Sequence, residues 1–373
     1  MKRRRFIHTA AGAGLAIGGG LGRTLGDLYA FGGQPDLSHV EARYYKRLPD
    51  REIECGLCPR RCLLGDKERG FCGVRENDGG TYYTLVYGKA CALNVDPIEK
   101  KPFFHVLPKT NALSLATAGC NVHCKFCQNW EISQARPEQI ENFNLPPRAA
   151  AETARKNGCP SIAFTYSEPI VYYEYMIDTA SEARKLGIKS VVVSGGYINP
   201  EPLKELTRAV DAIKIDLKGY TQDFYKSYVR GDLQPVLEAI KIVRQSGVWL
   251  EIVYLVIPTL NDDMADIRKM SRWIAAEIGP DVPVHFTRFQ PQYLLKNLPP
   301  TPVSTLEKAR ETARSEGLRF AYIGNVPGHE GENTVCPKCR TVLIERYGYE
   351  IRTNVLKGGA CPNCRTPIPG LWA

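Results

Sequence analysis

Residues 111–130 read NALSLATAGCNVHCKFCQNW, and both the fold and the chemistry turn on them. Leu113–Thr117 is a short apolar run of the kind that forms a buried strand. Cys120, Cys124 and Cys127 follow it at the spacing C-x3-C-x2-C. Three thiolates this close can hold three irons of a [4Fe–4S] cube and leave the fourth iron without a protein ligand. An open coordination position separates a metal site built for chemistry from a purely structural one. The competing reading is a zinc site with three cysteines and a fourth ligand elsewhere.

Downstream the texture of that strand repeats. Ser161–Tyr166 (SIAFTY), Lys189–Ser194 (KSVVVS), Ala212–Leu217 (AIKIDL), Trp249–Ile257 and Val284–Phe289 are β-branched runs. Between them lie segments of helical character: Arg148–Lys156, Ile170–Leu186, a short one near Pro200, Val236–Gln245 and Asp263–Glu277, with Ser304–Glu316 after the last. Arg319–Ile323 is a candidate for one further strand. Apolar strands alternating with amphipathic helices predict a parallel sheet covered on both faces. Six strands point to an α/β fold, a partial (β/α)6 TIM-like barrel. In such folds the chemistry sits at the C-terminal strand ends, which is where the cysteine loop begins.

The other strand ends supply candidates, each with a plainer alternative. Glu168 and Pro169 follow the second strand, where Glu168 could equally be an acid at a helix N-terminus. Ser194-Gly195-Gly196 follows the third and could be only a tight turn. Asp216 and Lys218 share one face at the end of the fourth; a salt bridge on the rim is the alternative. His285 stands in the sixth strand and could be a satisfied core residue.

Two more cysteine groups flank this core. Cys55, Cys58, Cys62 and Cys72 have the spacing C-x2-C-x3-C-x9-C. Four thiolates would close a site around zinc or a second iron–sulfur cluster, and a second cluster could relay electrons. Disulfide pairing is the alternative there. Cys336, Cys339, Cys361 and Cys364 form two C-x2-C knuckles around a hairpin-like stretch and read as a zinc ribbon. Cys91 and Cys159 read as buried thiols.

The 373 residues, 43% hydrophobic, suffice for one large domain with small appendages. The net charge is +9, but residues 2–5 (KRRR) supply four of those positives. The rest, spread over a large surface, gives no reason to expect nucleic acid. Arg3-Arg4-Arg5-Phe6-Ile7 and the small-residue stretch behind it look like a twin-arginine signal; a disordered basic tail is the alternative. No later stretch is apolar enough to span a membrane. The expected organisation is a signal segment over 1–35, an N-terminal cysteine-rich metal module over 36–108, the core over 109–325 and the ribbon over 326–373.

The cysteine loop, with Phe126 before its third cysteine, resembles the radical S-adenosylmethionine (SAM) superfamily. Together TAGCNVHCKFCQNWEISQ, FTYSEPIVYYEY, DAIKIDLKGYTQDFYK, LVIPTLNDD and YIGNVPGHEGENTVCPKC are similar to the AmmeMemoRadiSam-system radical SAM enzymes, related to pyruvate formate-lyase activating enzymes. The resemblance implies a [4Fe–4S] cluster on Cys120, Cys124 and Cys127 with SAM on the open iron. Reductive cleavage would give a 5′-deoxyadenosyl radical that abstracts hydrogen from a protein or partner-delivered substrate. It implies that Glu168, Ser194, Asp216, Lys218 and His285 contact SAM or substrate. Tyr166-Ser167 departs from the Gly-Gly usual before that glutamate. The resemblance further implies an electron donor such as flavodoxin or ferredoxin, and AMMECR1-like and Memo-like companion proteins. Two rival expectations stand beside it: an activase for a glycyl-radical enzyme, and a non-catalytic metal-binding adaptor. SAM and low-potential electrons belong to the cytoplasm, whereas the signal-like segment points to export or tethering.

Overall fold

A computed structural model describes residues 37–373, and the signal-like segment over 1–35 lies outside the described residues. One sheet organises them. Its strands are β1 (Ala92–Pro97), β2 (Asn111–Ala116), β3 (Ser161–Phe164), β4 (Lys189–Ser194), β5 (Ala212–Asp216), β6 (Trp249–Val256), β7 (Val284–Arg288) and β8 (Ala321–Gly324). Every strand lies beside its neighbour in sequence. From β2 to β8 the pairings are parallel, and β1 alone is antiparallel, on β2. The hydrogen-bonded order runs from β1 to β8 and, among the described residues, does not return to its start.

Helices connect the parallel strands: α1 (Pro147–Lys156), α2 (Tyr173–Lys185), α3 (Pro200–Ala209), α4 (Leu233–Ser246), α5 (Met264–Trp273) and α6 (Val303–Ser315). This is the expected α/β alternation, because a parallel pair needs a crossover and a helix buries the exposed sheet face. The sheet carries seven parallel strands rather than six. Residues 321–324 pair with β7 in full register, from Val284↔Ala321 to Thr287↔Gly324. The antiparallel β1 has the sequence ALNVDP. Asn, Asp and Pro are poor strand formers, and Pro is tolerated in a sheet chiefly at an edge.

Before the sheet, residues 40–84 form two small antiparallel sheets around the first cysteine group. They are tied to α2 by a buried ion pair. Arg75 and Glu174 are 1% and 4% exposed. Arg75 Nη1 donates to Glu174 Oε1 at 3.2 Å and Nε to the Val171 carbonyl at 3.0 Å, while the Arg43 amide donates to Glu174 at 2.7 Å. A buried charge is tolerable when it is paired and its remaining hydrogen-bonding capacity is filled.

At the other end, three short strands follow: β9 (Thr334–Val335), β10 (Val342–Tyr347) and β11 (Glu350–Asn354). They dock on the loop before β2 through Arg346. Its guanidinium donates to Thr334 Oγ1 at 2.8 Å and to the Phe104 carbonyl at 2.8 Å. Leu107 and His105 exchange backbone bonds with Leu371, each at 2.7 Å.

Arg75→Ala would leave Glu174 buried without its cation. Removing one partner of a buried pair costs about 3–5 kcal/mol. Urea unfolding of the variant should therefore show a clearly lowered midpoint, and an unchanged midpoint would contradict this account of the pair.

Candidate active site

The cysteine loop leaves β2 through Gly119, which adopts φ +92°. A Cβ there would lie 2.7 Å from the Cys72 carbonyl oxygen and 2.6 Å from Val74 Cγ1. Only glycine fits both the angle and the space. Backbone bonds then hold the loop's shape: Gly119 to Ile132 at 2.9 Å, His123 to Val229 at 3.1 Å, Lys125 to Tyr228 at 2.9 Å and Cys127 to Cys124 at 3.2 Å. Asn121 adds a side-chain bond to the Tyr197 carbonyl at 2.7 Å.

Cys120, Cys124 and Cys127 line a cavity of about 430 Å³ at the C-terminal ends of the strands, and Glu168, Asp216, Lys218 and His285 line it too. That volume lies within the range of small-molecule sites. Three thiols facing one side of a chamber with acids and a lysine beyond them suit a site-differentiated cluster that carries a zwitterionic ligand. Ser194 is not part of that lining. Its hydroxyl donates to Glu168 Oε1 at 2.6 Å, and the Gly195 amide donates to Oε2 at 2.8 Å. Glu168 also accepts from the Ile170 amide at 3.2 Å, so it caps the turn and lines the cavity at once. Burial raises its carboxyl above the usual range despite those donors.

Tyr166 and Ser167 occupy the positions where glycines were the expected pattern. Tyr166 holds φ +67°. Its hydroxyl bonds Asp96, and Asn129 Nδ2 donates to its carbonyl at 2.8 Å. Ser167 Oγ donates to the Thr117 carbonyl at 2.7 Å. Side-chain bonds thus hold a backbone conformation that glycine would adopt freely.

Asp216 has two cations. Lys214 Nζ contacts Oδ1, and Lys218 Nζ lies 3.4 Å from Oδ2. Burial opposes its ionisation, but the two lysines outweigh that and hold the carboxyl below the usual range. Burial likewise opposes the charge on Lys218, and Asp216 with the Cys124 thiol reverses the balance and raises it. Lys214, deeper in the sheet, is pushed down by burial. The same alternation that pairs Asp216 with Lys218 also carries Lys214, so the run AIKIDLK held the signal for it.

His285 is a candidate that the sequence offers, whereas its partner Glu251 is not. His285 Nε2 lies 2.7 Å from Glu251 Oε2, with neither side chain exposed. Glu251 also accepts from the amides of Phe104 at 3.0 Å and His105 at 2.9 Å, and from Trp249 Nε1 at 3.1 Å. Burial alone would raise this carboxyl, yet its donors hold it at about 2. Burial keeps His285 below the usual imidazole range. The ring is therefore neutral, with Nε2–H donating to the carboxylate. Nδ1, an acceptor in that tautomer, is buried with no partner. Elsewhere in the lining, Lys101 and Lys100 both pair with Asp96, at 2.6 and 2.8 Å.

The C-terminal cysteines make a separate, compact site. The sulfurs of Cys336, Cys339, Cys361 and Cys364 all lie within 4.8 Å of one another and could hold a metal ion. Hydrogen bonds from the Thr341 hydroxyl and amide lower the Cys339 thiol to about 5.

Residues 114–270 match the family model described as the radical SAM superfamily. A protein of Methanocaldococcus jannaschii, the uncharacterized protein MJ0808, is 49% identical over 82% of this chain and 91% of its own length. The chain belongs to the radical SAM superfamily. It is an iron–sulfur enzyme of radical chemistry. The pyruvate formate-lyase-activating enzyme of Clostridium pasteurianum is 24% identical over 42% of this chain and 66% of its length. A radical SAM methyltransferase structure from Sphaerobacter thermophilus aligns with TM-score 0.47 and 17% identity, covering 60% of this chain and 70% of that one. Among the described residues of this radical SAM enzyme, no helix is long and apolar enough to cross a membrane.

Burial lowers Lys101 to about 8, against about 10.4 for a free lysine. Between those values the unfolded chain binds the proton more tightly, so this residue's contribution to stability rises with pH across that window. NMR of labelled lysine side chains should show one Nζ titrating near pH 8 that disappears in Lys101→Met. A Lys101 midpoint above about 10 would contradict the burial of that amine.

Proposed function

We propose that the chain is a reductive SAM-cleaving oxidoreductase or activase whose substrate is a protein side chain or a small molecule delivered by a partner. The observation that carries this reading is the convergence of Cys120, Cys124 and Cys127 with Glu168, Asp216 and Lys218 on one cavity. When bound, a reduced [4Fe–4S] cluster with one open iron supplies the electron that breaks a carbon–sulfur bond of SAM and yields a 5′-deoxyadenosyl radical.

On this reading the three thiolates hold the cluster. Glu168, fixed by Ser194 and Gly195, presents its carboxyl to the amino end of SAM. Lys218, steadied by Asp216, offers a cation to the SAM carboxylate. The cavity walls keep water from a radical that would otherwise be quenched. His285 lines the same chamber, keeps Nδ1 as an unused acceptor and is assigned to SAM or substrate. The ribbon thiols take zinc, whose tetrahedral sites bring four sulfurs this close. Residues 36–108, 109–325 and 326–373 act as an N-terminal metal module, a radical SAM core and a zinc ribbon. Flavodoxin or ferredoxin supplies electrons, and AMMECR1-like and Memo-like proteins are the proposed companions.

A second reading is an activase for a glycyl-radical enzyme. It draws support from the activating-enzyme relatives, whose names assign that role to them. Hydrogen abstraction assayed on a glycyl-radical partner separates the two.

The test is anaerobic reconstitution with SAM and dithionite. The wild type should release 5′-deoxyadenosine, and Cys120→Ala should release none. Asp216→Asn should bind SAM about 30-fold more weakly or worse, the effect of about 2 kcal/mol from disturbing a buried charged pair. A reconstituted protein with an intact cluster that releases no 5′-deoxyadenosine is a metal-binding adaptor instead.

A further inference from the structure

Directly behind the catalytic loop lies a second pocket that the reading above does not use. Cys55, Cys58, Cys62 and Cys72 all line it, with Arg75 and Tyr82. Asn121, the neighbour of Cys120, forms part of its wall. All four thiols are free. Gathering four thiols in the interior, rather than four aliphatic side chains, has little packing advantage unless they bind something together.

The backbone around them has the form of a metal knuckle. Cys55 accepts a hydrogen bond from the Leu57 amide, Cys58 from Arg60 and Cys72 from Val74, each two residues on. The ribbon cysteines repeat this: Cys336 with Lys338, Cys339 with Thr341 and Cys364 with Thr366. In the catalytic loop Cys120 does the same with Val122. The same turn, with an amide two residues on aimed at the sulfur, thus recurs in all three cysteine groups. The fold also fixes the loops. Asn199 Nδ2 donates to the carbonyls of Gly56 at 2.6 Å and Cys58 at 3.0 Å, and Gly73 turns at φ +75°. Tyr82 bonds the Cys55 sulfur, and the Arg75 guanidinium acts on Cys55 and Cys72 as a counter-cation.

The ribbon gives the contrast of a group drawn in around a single ion. Four sulfurs about 2.3 Å from one zinc sit about 3.8 Å from each other. In the ribbon, Cys336–Cys364 and Cys339–Cys361 stand at 3.5 and 3.6 Å. Among the described residues, the ribbon is the cysteine group drawn in to that spacing. The N-terminal sulfurs surround a pocket instead.

We infer that Cys55, Cys58, Cys62 and Cys72 hold a second iron–sulfur cluster that passes electrons to the catalytic one. The relay part rests on the function proposed above. Its geometric basis is the contact of the Cys72 carbonyl with Gly119, and the bond from Arg60 Nε to the Asn121 carbonyl at 2.6 Å. One electron from reduced flavodoxin or ferredoxin would reduce this cluster and then move on to the catalytic one, returning the relay to its oxidised state.

The experiment starts with the triple variant Cys120→Ala, Cys124→Ala, Cys127→Ala, reconstituted with iron and sulfide. It should keep about four irons and four sulfides per chain, with Mössbauer and EPR signals that do not respond to SAM. Zinc in place of that iron, or no metal beyond the ribbon's, overturns the site. The converse variant, all four N-terminal cysteines to Ser, should keep a SAM-responsive cluster. It should lose SAM cleavage driven by reduced flavodoxin but retain cleavage driven by dithionite. Unchanged flavodoxin-driven cleavage overturns the relay. Should that variant not fold, Mössbauer spectra of the wild type decide, since they must contain two clusters. A wild type with both clusters that never cleaves SAM would refute the proposed function while leaving the second site standing.

Discussion

The close approach of Gly119 to the Cys72–Val74 backbone is the constraint on which the rest of the structure depends. At this point a strand of the main sheet, the loop of Cys120, Cys124 and Cys127 and the N-terminal cysteine-rich segment share a space too small for one methyl group. Because the loop cannot shift, the three thiols face the cavity rather than solvent. Because the N-terminal segment is pressed against it, the two cysteine groups become neighbours although they are far apart in sequence. The buried Arg75–Glu174 pair clamps that same segment to α2, so the contact is held from both sides.

The cavity itself is organised by charge. Asp216 has two lysines, and Asp96 has two lysines and a tyrosine hydroxyl. Charges in a low-dielectric site are costly unless paired, and each of these two aspartates has two cations. Lys218, beside the three cysteines in the same lining, suits ligands that carry carboxylates. Glu168 stands at another strand end, where three donors hold it in place. The Glu251–His285 pair is arranged differently: a carboxylate fully engaged by donors fixes the ring and leaves one buried nitrogen without a partner. The polar pair therefore arises from β6 and β7, whose other residues are mostly apolar.

The cysteine groups were the most legible feature, because their spacing in sequence is nearly their arrangement in space. The parallel alternation was legible for the same reason: each strand and helix carries its own periodicity. The misses came from contacts that no local pattern encodes. The edge strand β1 contains Asn, Asp and Pro, and is a strand only because β2 offers it a partner. Ser194 stands where a strand-end residue could reach a ligand, but its hydroxyl is committed to Glu168. Lys101 and Asp96 come from a stretch with no periodicity, and their partner Tyr166 is 70 residues away. Glu251 is the one acid in the run WLEIVYLVI. A lone acid in an apolar strand signals a buried partner, though the sequence does not say which one.

The account stands or falls on one iron at the triad being open to SAM. Mössbauer spectroscopy of the ⁵⁷Fe-reconstituted protein, before and after adding SAM, tests this directly. The account predicts that SAM shifts the signal of one iron site in the triad's cluster and leaves its other three unchanged. Spectra indifferent to SAM, or a triad filled by zinc, would contradict it.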